Sequence, residues 1–214
     1  VPMQRLCNWI NENTNDKVII SGEGSDELFG GYLYNMYAPD EKEFYLEVEK
    51  RLEELYLFDN LRADRSTAAH GLEIRPPFLD FTLVERVLQS NLLRKPVKHT
   101  KELLITCLSK FAPDLLPPEI LNRRKEAFSD AVSSEWKKQI ERVANNNGET
   151  TKQYFRRIFI EQFGESKLSL LESYWEPNQK WINTDGESSA VALPLYAPIF
   201  SPPNQEEAFS RLLD

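Results

Sequence analysis

Two cysteines and two histidines in 214 residues leave little material for several kinds of chemistry. Cys7 and Cys107 lie far apart with no CxxC spacing, which argues against a disulfide scaffold and against a zinc site. His70 and His99 are equally remote from each other, so a histidine-based metal centre or a Ser/His triad has no obvious components. Long apolar runs are missing: none approaches a membrane span, and no signal-peptide pattern opens the chain. Positive charge is in deficit. With 26 Lys and Arg against 34 Asp and Glu, the net charge of -8 argues against general nucleic-acid binding, although a local basic patch remains compatible with it. No Gly-Lys-Ser/Thr follows a glycine-rich turn, which excludes a P-loop. What is present is ordinary for a soluble globular protein, with 41% apolar and 28% charged residues and enough mass for one domain with a sizeable core. Two unpaired cysteines fit a reducing cytoplasm. The start at Val1-Pro2 rather than methionine leads us to expect a piece of a larger protein.

The chain is organised around Lys17 to Tyr32. Val18 to Ile20 is a short β-branched run that reads as a buried strand. It enters Ser21-Gly-Glu-Gly-Ser-Asp26, where two glycines permit tight backbone geometry and two hydroxyls and two acids crowd one turn. Ser25 or Asp26 is expected to cap a short helix through Glu27, Leu28 and Phe29, ended by Gly30-Gly31. Such a loop can simply redirect the chain. It also lies where open α/β sheets place ligands, outside the carboxyl end of a strand. Glu23, between two glycines, has no helical face to decorate and no salt-bridge partner next to it in sequence. A carboxylate there suits proton handling on an amine or contact with a metal-bound nucleotide.

These residues carry a resemblance. Ser21-Gly-Glu-Gly-Ser-Asp-Glu-Leu-Phe-Gly-Gly-Tyr32 resembles the signature of the synthetase domain of the glutamine-hydrolysing asparagine synthetase family. More of that pattern follows in order: Leu61-Arg62-Ala-Asp-Arg65, then His70-Gly-Leu-Glu-Ile-Arg75-Pro-Pro-Phe-Leu-Asp80, then Arg124-Lys125-Glu126-Ala-Phe128-Ser129-Asp130. Tyr174-Trp175 and Asp185 to Ala190 extend it toward the end. Three separated matches in order, spanning nearly the whole chain, are highly specific.

Elsewhere the pattern is helical. Met3, Leu6, Cys7 and Ile10 form one apolar face before the polar turn Asn11 to Asp16. Tyr32, Tyr34 and Tyr37 mark an aromatic connector to Pro39, read as packing rather than as site lining. Glu41 to Phe58 is a long helix with Phe44, Val48, Leu52, Leu55 and Tyr56 on one face and a solvated charged face opposite. Asp59-Asn60 offers a break or cap, and Leu61 to Ala69 resumes until Gly71. Glu73 to Asp80 is extended because of Pro76 and Pro77, and reads either as a wall of the site or as a rigid connector with a buried Glu-Arg pair. Thr82 to Gln89, Thr100 to Phe111, Val132 to Val143 and Tyr154 to Phe159 complete the helices. Arg123 to Asp130 is either a solvated basic loop or a cationic face for a triphosphate, with Ser129 or Asp130 as a cap. From Pro177 onward the proline content reads as a surface tail.

The resemblance implies an α/β fold of the adenine nucleotide alpha hydrolase type, a parallel sheet with helices. This stretch is itself mostly α-helical with one clear strand. One strand cannot form a doubly wound sheet, since its backbone groups lack ladder partners. In the family the other strands, and the Ser-Gly-Gly-x-Asp-Ser loop that grips pyrophosphate, come from upstream. That loop is absent here, as is the N-terminal cysteine of the glutaminase domain. Residues 1–176 are accordingly expected to be the C-terminal portion of the synthetase domain, and 177–214 a tail.

By the same resemblance, ATP with Mg2+ converts aspartate to β-aspartyl-AMP, and ammonia from glutamine then displaces AMP. Ser21 and Gly22 are expected at the nucleotide and Glu23 as acceptor of the ammonia proton. Asp59 is expected at the aspartyl group, Arg62 near the ligand or paired with an acid, and Asp26 as ligand contact or cap. Lys125 is expected to stabilise phosphate charge, and no residue is assigned to a protein-held metal. The missing N-terminal region is the implied partner, a homodimer is compatible with the pattern, and neither nucleic acid nor membrane is implied. This stretch alone would hold half an active site and be inactive. Two alternatives stand beside this: a β-lactam-synthetase-like amide ligase, and a catalytically silent binding or interaction module.

Overall fold

Helix α1 (Pro2–Asn13) starts on a proline, tolerated there because the first helical N–H has no partner within the helix. It runs further than the expected polar turn allowed, and its Cys7 is buried. Strand β1 (Val18–Ile20) follows, then helix α2 (Ser25–Leu28), a 3-10 turn at Leu33–Tyr37 and helix α3 (Glu41–Glu54), which ends in a second 3-10 turn at Leu55–Leu57. The Asp40 carboxylate caps α3 by accepting from the Glu43 N–H at 2.9 Å. Helix α4 (Asp59–Ala68) stops before Gly71, whose φ of 65° turns the chain into strand β2 (Glu73–Arg75). A 3-10 turn at Pro77–Leu79 leads to helix α5 (Phe81–Gln89), capped by Asp80 through the Leu83 N–H at 3.1 Å. Helices α6 (Glu102–Phe111) and α7 (Pro118–Leu121) follow.

The computed structural model describes residues 2–94, 102–111, 115–121, 134–171 and 178–181. The chain divides into a unit of Val1–Lys125 with Glu176–Asp214 and a unit of Glu126–Trp175. In the latter, α8 (Ser134–Asn146) and α9 (Thr151–Phe163) pack on each other. Thr150 and Gln153 form a reciprocal capping box at the start of α9.

Strands β1 and β2 pair in parallel, with Ile19 opposite Ile74. The expected burial of β1 is not met. Ile20 is 77% exposed, because among the described residues the sheet has two strands and no second layer on that face. The second strand lies in the segment read as extended. The Glu73–Arg75 pair at its ends is exposed rather than buried, at 2.7 Å.

The core of the first unit gathers Leu28, Phe29, Ala38, Phe44, Val48, Val87 and Leu93. Leu103, Leu104 and Cys107 of α6 pack against it, on the stripe that their spacing predicts. Tyr56 departs from the expected α3 stripe and is exposed, since the helix tightens to 3-10 geometry at Leu55 and rotates it outward.

The charged face of α3 is not wholly solvated, which corrects the sequence reading. Glu47 and Arg51 are both buried and meet at 2.6 Å. The Tyr34 hydroxyl donates to Glu47 Oε1 at 2.7 Å and accepts from Arg51 Nε at 2.8 Å. Asn178 Nδ2 reaches the other carboxylate oxygen of Glu47 at 2.9 Å. Helical periodicity could not separate this pair from its exposed neighbours, because its partner Tyr34 is 13 residues distant. Glu47→Ala removes the nearer, buried carboxylate from a buried guanidinium, leaving Glu54 at 3.4 Å, and is expected to cost on the order of 3 kcal/mol in denaturant unfolding. Lys50→Ala, which removes only an exposed contact to Glu54, is expected to cost less than about 1 kcal/mol. Equal losses would contradict the buried network.

Candidate functional site

The loop after β1 is fixed by backbone first. The Ser21 N–H donates to the Arg75 carbonyl at 3.1 Å, extending the parallel pairing beyond the strand. Ser21 Oγ accepts from the Glu23 N–H at 3.3 Å, and the Ser25 N–H donates to the Gly22 carbonyl at 3.3 Å. Gly24, at φ 89°, is the residue that precedes α2 and serves as its N-cap. Neither Ser25 nor Asp26 caps the helix; both lie inside it, since the left-handed glycine starts the helix one residue earlier than expected. A side chain at position 24 would also strike Leu79, with Cβ only 2.2 Å from Cδ2. The Pro77–Leu79 turn therefore seats the loop, and Phe78 meets Phe29 edge-on at 6.1 Å. These contacts give the Glu73 to Asp80 segment its role as a supporting wall. Gly22 is the opposite case. Among the described residues nothing lies within 4 Å of where its Cβ would stand, so another molecule can approach the backbone there.

Three of the predicted residues converge. Arg62 Nη2 lies 3.0 Å from Glu23 Oε1, and Arg62 Nη1 lies 2.7 Å from Asp59 Oδ1. Glu23 thus has a cation partner, 39 residues away in sequence. Asp59 is the first residue of α4 rather than its cap; Phe58 precedes the helix without a side-chain capping bond. The i, i+3 spacing brings Asp59 and Arg62 to one face. Burial pushes the Glu23 carboxyl above its ordinary range, Arg62 opposes this, and the charges of Asp59 and Asp26 add to it. Burial works against the charged form of Arg62, but Asp59 and Glu23 outweigh it and hold the guanidinium protonated.

A fourth carboxyl belongs here that the sequence reading left without a role. Glu27 is 5% exposed, and its Oε1 accepts a hydrogen bond from the Tyr32 hydroxyl. Burial, with added repulsion from Asp59 and Asp26, pushes it up to about 7 against the pull of the Tyr32 bond. The signal was a carboxylate inside the apolar run Glu27-Leu-Phe, followed by a tyrosine. Tyr32 stacks on Tyr34 at 5.9 Å with ring planes 17° apart, so the aromatic connector packs, as expected, while one of its hydroxyls serves the site. Lys125, together with Arg123 to Asp130, Tyr174-Trp175 and Asp185 to Ala190, lies outside the described residues. Among the described residues no three of His, Cys, Asp and Glu are placed to hold a metal ion. Among them, too, no helix is long and apolar enough to cross a membrane.

The decisive comparison is with protein families. The family model for asparagine synthase matches residues 1–48 and 37–185. The chain belongs to the asparagine synthase family. A probable glutamine-hydrolysing asparagine synthetase of Acanthamoeba polyphaga mimivirus is 38% identical over 215 residues, covering 91% of this chain. The glutamine-hydrolysing asparagine synthetases of Homo sapiens and Mesocricetus auratus are each 38% identical over 209 residues, covering 88% of it. This chain spans 37–38% of the length of these relatives. Membership in the asparagine synthase family agrees with the α/β class, a mostly helical chain around a parallel pair of strands.

The folded chain holds a proton on Glu27 that the unfolded chain releases between pH 4.5 and about 7. A raised acid lowers stability as pH climbs through that window, here by an amount on the order of 3 kcal/mol. Denaturant unfolding of the native chain should therefore lose stability from about pH 4.5 to about pH 7, and Glu27→Gln should flatten that slope. Matching slopes in the two proteins would show that Glu27 is an ordinary carboxylate.

Proposed function

We propose that this chain carries part of the active site of a glutamine-hydrolysing asparagine synthetase. The observation that supports it best is Glu23, a half-buried and proton-avid carboxylate beyond the carboxyl end of β1, paired with Arg62, which also holds Asp59. In this reading an oxygen of the aspartate side-chain carboxylate attacks the α-phosphorus of ATP, releasing pyrophosphate and leaving β-aspartyl-AMP. Ammonia drawn from glutamine then attacks the activated carbonyl carbon, and the bond to AMP breaks. Nitrogen must lose a proton in that step, and Glu23 is positioned to accept it.

The other assignments follow the family resemblance. Ser21 and the open backbone at Gly22 face the nucleotide. Asp59 orients the aspartyl group, with Arg62 holding both Asp59 and Glu23 in place. Asp26, inside α2 rather than at its cap, is assigned to ligand contact. Lys125 is assigned to the phosphate charge that builds in the transition state, and magnesium to the phosphates of ATP. The remaining partners are the glutaminase part and the pyrophosphate-gripping loop, supplied by the rest of a longer enzyme, which is taken to act in the cytoplasm and is compatible with a homodimer. Residues 1–176 form the synthetase portion in this reading, followed by a tail from 177.

The test uses the longest native polypeptide that contains this chain, after its intact mass has been measured. Glutamine- and ammonia-dependent asparagine formation is expected, and Glu23→Ala should reduce it by on the order of 100-fold or more with the fold intact by circular dichroism. Undiminished synthesis in the Glu23→Ala protein would remove the assigned role. No synthesis by the native protein would leave a binding or interaction module.

A further inference from the structure

The residues behind the loop form a continuous hydrogen-bonded and stacked path that the proposed reaction does not use. It starts at Glu27, whose side-chain partner among the described residues is the Tyr32 hydroxyl. Tyr32 lies parallel to Tyr34 at 5.9 Å. Tyr34 is fully buried and pinned by Glu47 and Arg51, with the Arg51 guanidinium 5.6 Å from its ring centre. The far end of the path is in the segment after 177. Trp181 touches the Tyr34 ring at 6.0 Å, and Asn178 bonds to Glu47.

We propose that Tyr32 and Glu27 are a positioning pair for the acidic loop, anchored on Tyr34, and that the Asn178–Trp181 segment is the clasp that locks the anchor. This rests on the proposed function for its catalytic consequence, though not for its structural part. The physical case begins with charge. Glu23, Asp26, Glu27 and Asp59 share one site with Arg62, and the substrates of the proposed reaction are themselves anions. A Glu27 that keeps its proton removes one repelling charge, and Tyr32 fixes where that carboxyl sits. The groups that act on Glu27 are Asp26 within α2, Asp59 in α4 and Tyr32. The next group along the path, Tyr34, lies between Glu47 and Arg51 of α3. A tyrosine that also turned freely could not hold this geometry; stacking on a pinned neighbour restricts it. Trp181 adds a ring contact to that neighbour and Asn178 a bond to Glu47, so release of the segment loosens Tyr34 and, through the stack, Tyr32.

Two readouts separate this inference from the reaction it serves. The first is carbon-detected NMR titration of the Glu27 carboxyl in the full chain, assigned with Glu27→Gln. Tyr32→Phe keeps the ring stack and removes the hydrogen bond that favours the ionised form, so the midpoint should move upward by about one unit. Trp181→Ala should move it as well, and Trp181→Phe should restore it. A midpoint that none of these variants moves would overturn the positioning pair, and a response to Tyr32→Phe without one to Trp181→Ala would overturn the clasp. The second readout is the pH profile of aspartate- and ammonia-dependent AMP release by the longest native polypeptide. It should shift with Tyr32→Phe in the direction of the titration, with kcat affected more than KM. Native synthesis with a profile that Tyr32→Phe leaves unmoved would overturn the catalytic consequence while the proposed function stands. A shifted NMR midpoint in a protein that makes no asparagine would do the reverse, sinking the function and keeping the structural pair.

Discussion

Glu23 owes its place to a hydrogen bond between main-chain atoms far apart in sequence, from the Ser21 N–H to the Arg75 carbonyl. A three-residue strand has too few ladder bonds to hold a loop at its end. The parallel partner supplies them, and the segment that continues from that partner turns back through Pro76 and Pro77 to place Leu79 under Gly24. The loop is thus gripped from its side and from below by one continuous stretch, Glu73 to Leu79. The proline pair makes this grip stiff, since fixed φ angles remove freedom that would otherwise be lost on folding. Side-chain chemistry is added to a backbone already in position.

The second constraint is electrostatic. Four carboxyl groups close enough to influence one another, two of them on one guanidinium, would repel strongly if all were ionised in a partly dry site. Two features relieve this. Arg62 divides its two ends between Glu23 and Asp59, and Glu27 shares a hydrogen bond with a phenol instead of a cation. An acidic site of this kind favours cationic or amine-bearing groups and protonated intermediates. It is poorly suited to hold a triphosphate without further positive charge, which is why the basic stretch around Lys125 matters to the proposed reaction.

Much of this was legible in the chain itself. The β-branched run before Ser21 marked a strand, the spacing of Phe44 and Val48 marked the inner face of α3, and Asp40 and Asp80 stood where helix caps belong. The signature segments carry the family resemblance in their residues alone. What sequence could not show were relations between distant residues. Glu23 appeared to lack a partner because Arg62 is reached only after α3 and the turn beyond it. Glu47 and Arg51 looked like one more solvated pair because periodicity describes one helix and cannot see Tyr34 from another element. Glu27 was hidden differently: the apolar residues that follow it and the tyrosine beyond were a signal, but one easily lost among several acids until burial set it apart. The cap of α2 was misplaced by one residue because a left-handed glycine can open a helix that polar side chains were expected to open.

The exposure of Ile20 bears on how this polypeptide behaves as a material. Among the described residues β1 has one neighbour, so its other edge offers main-chain donors and acceptors beside a bare aliphatic side chain. Such an edge is a template for further strands, whatever their origin. At high concentration the chain would seek a companion strand, and in its absence the same edge favours self-association and precipitation. Three residues whose side chains take no part in the chemistry thus present the surface most ready to join another strand.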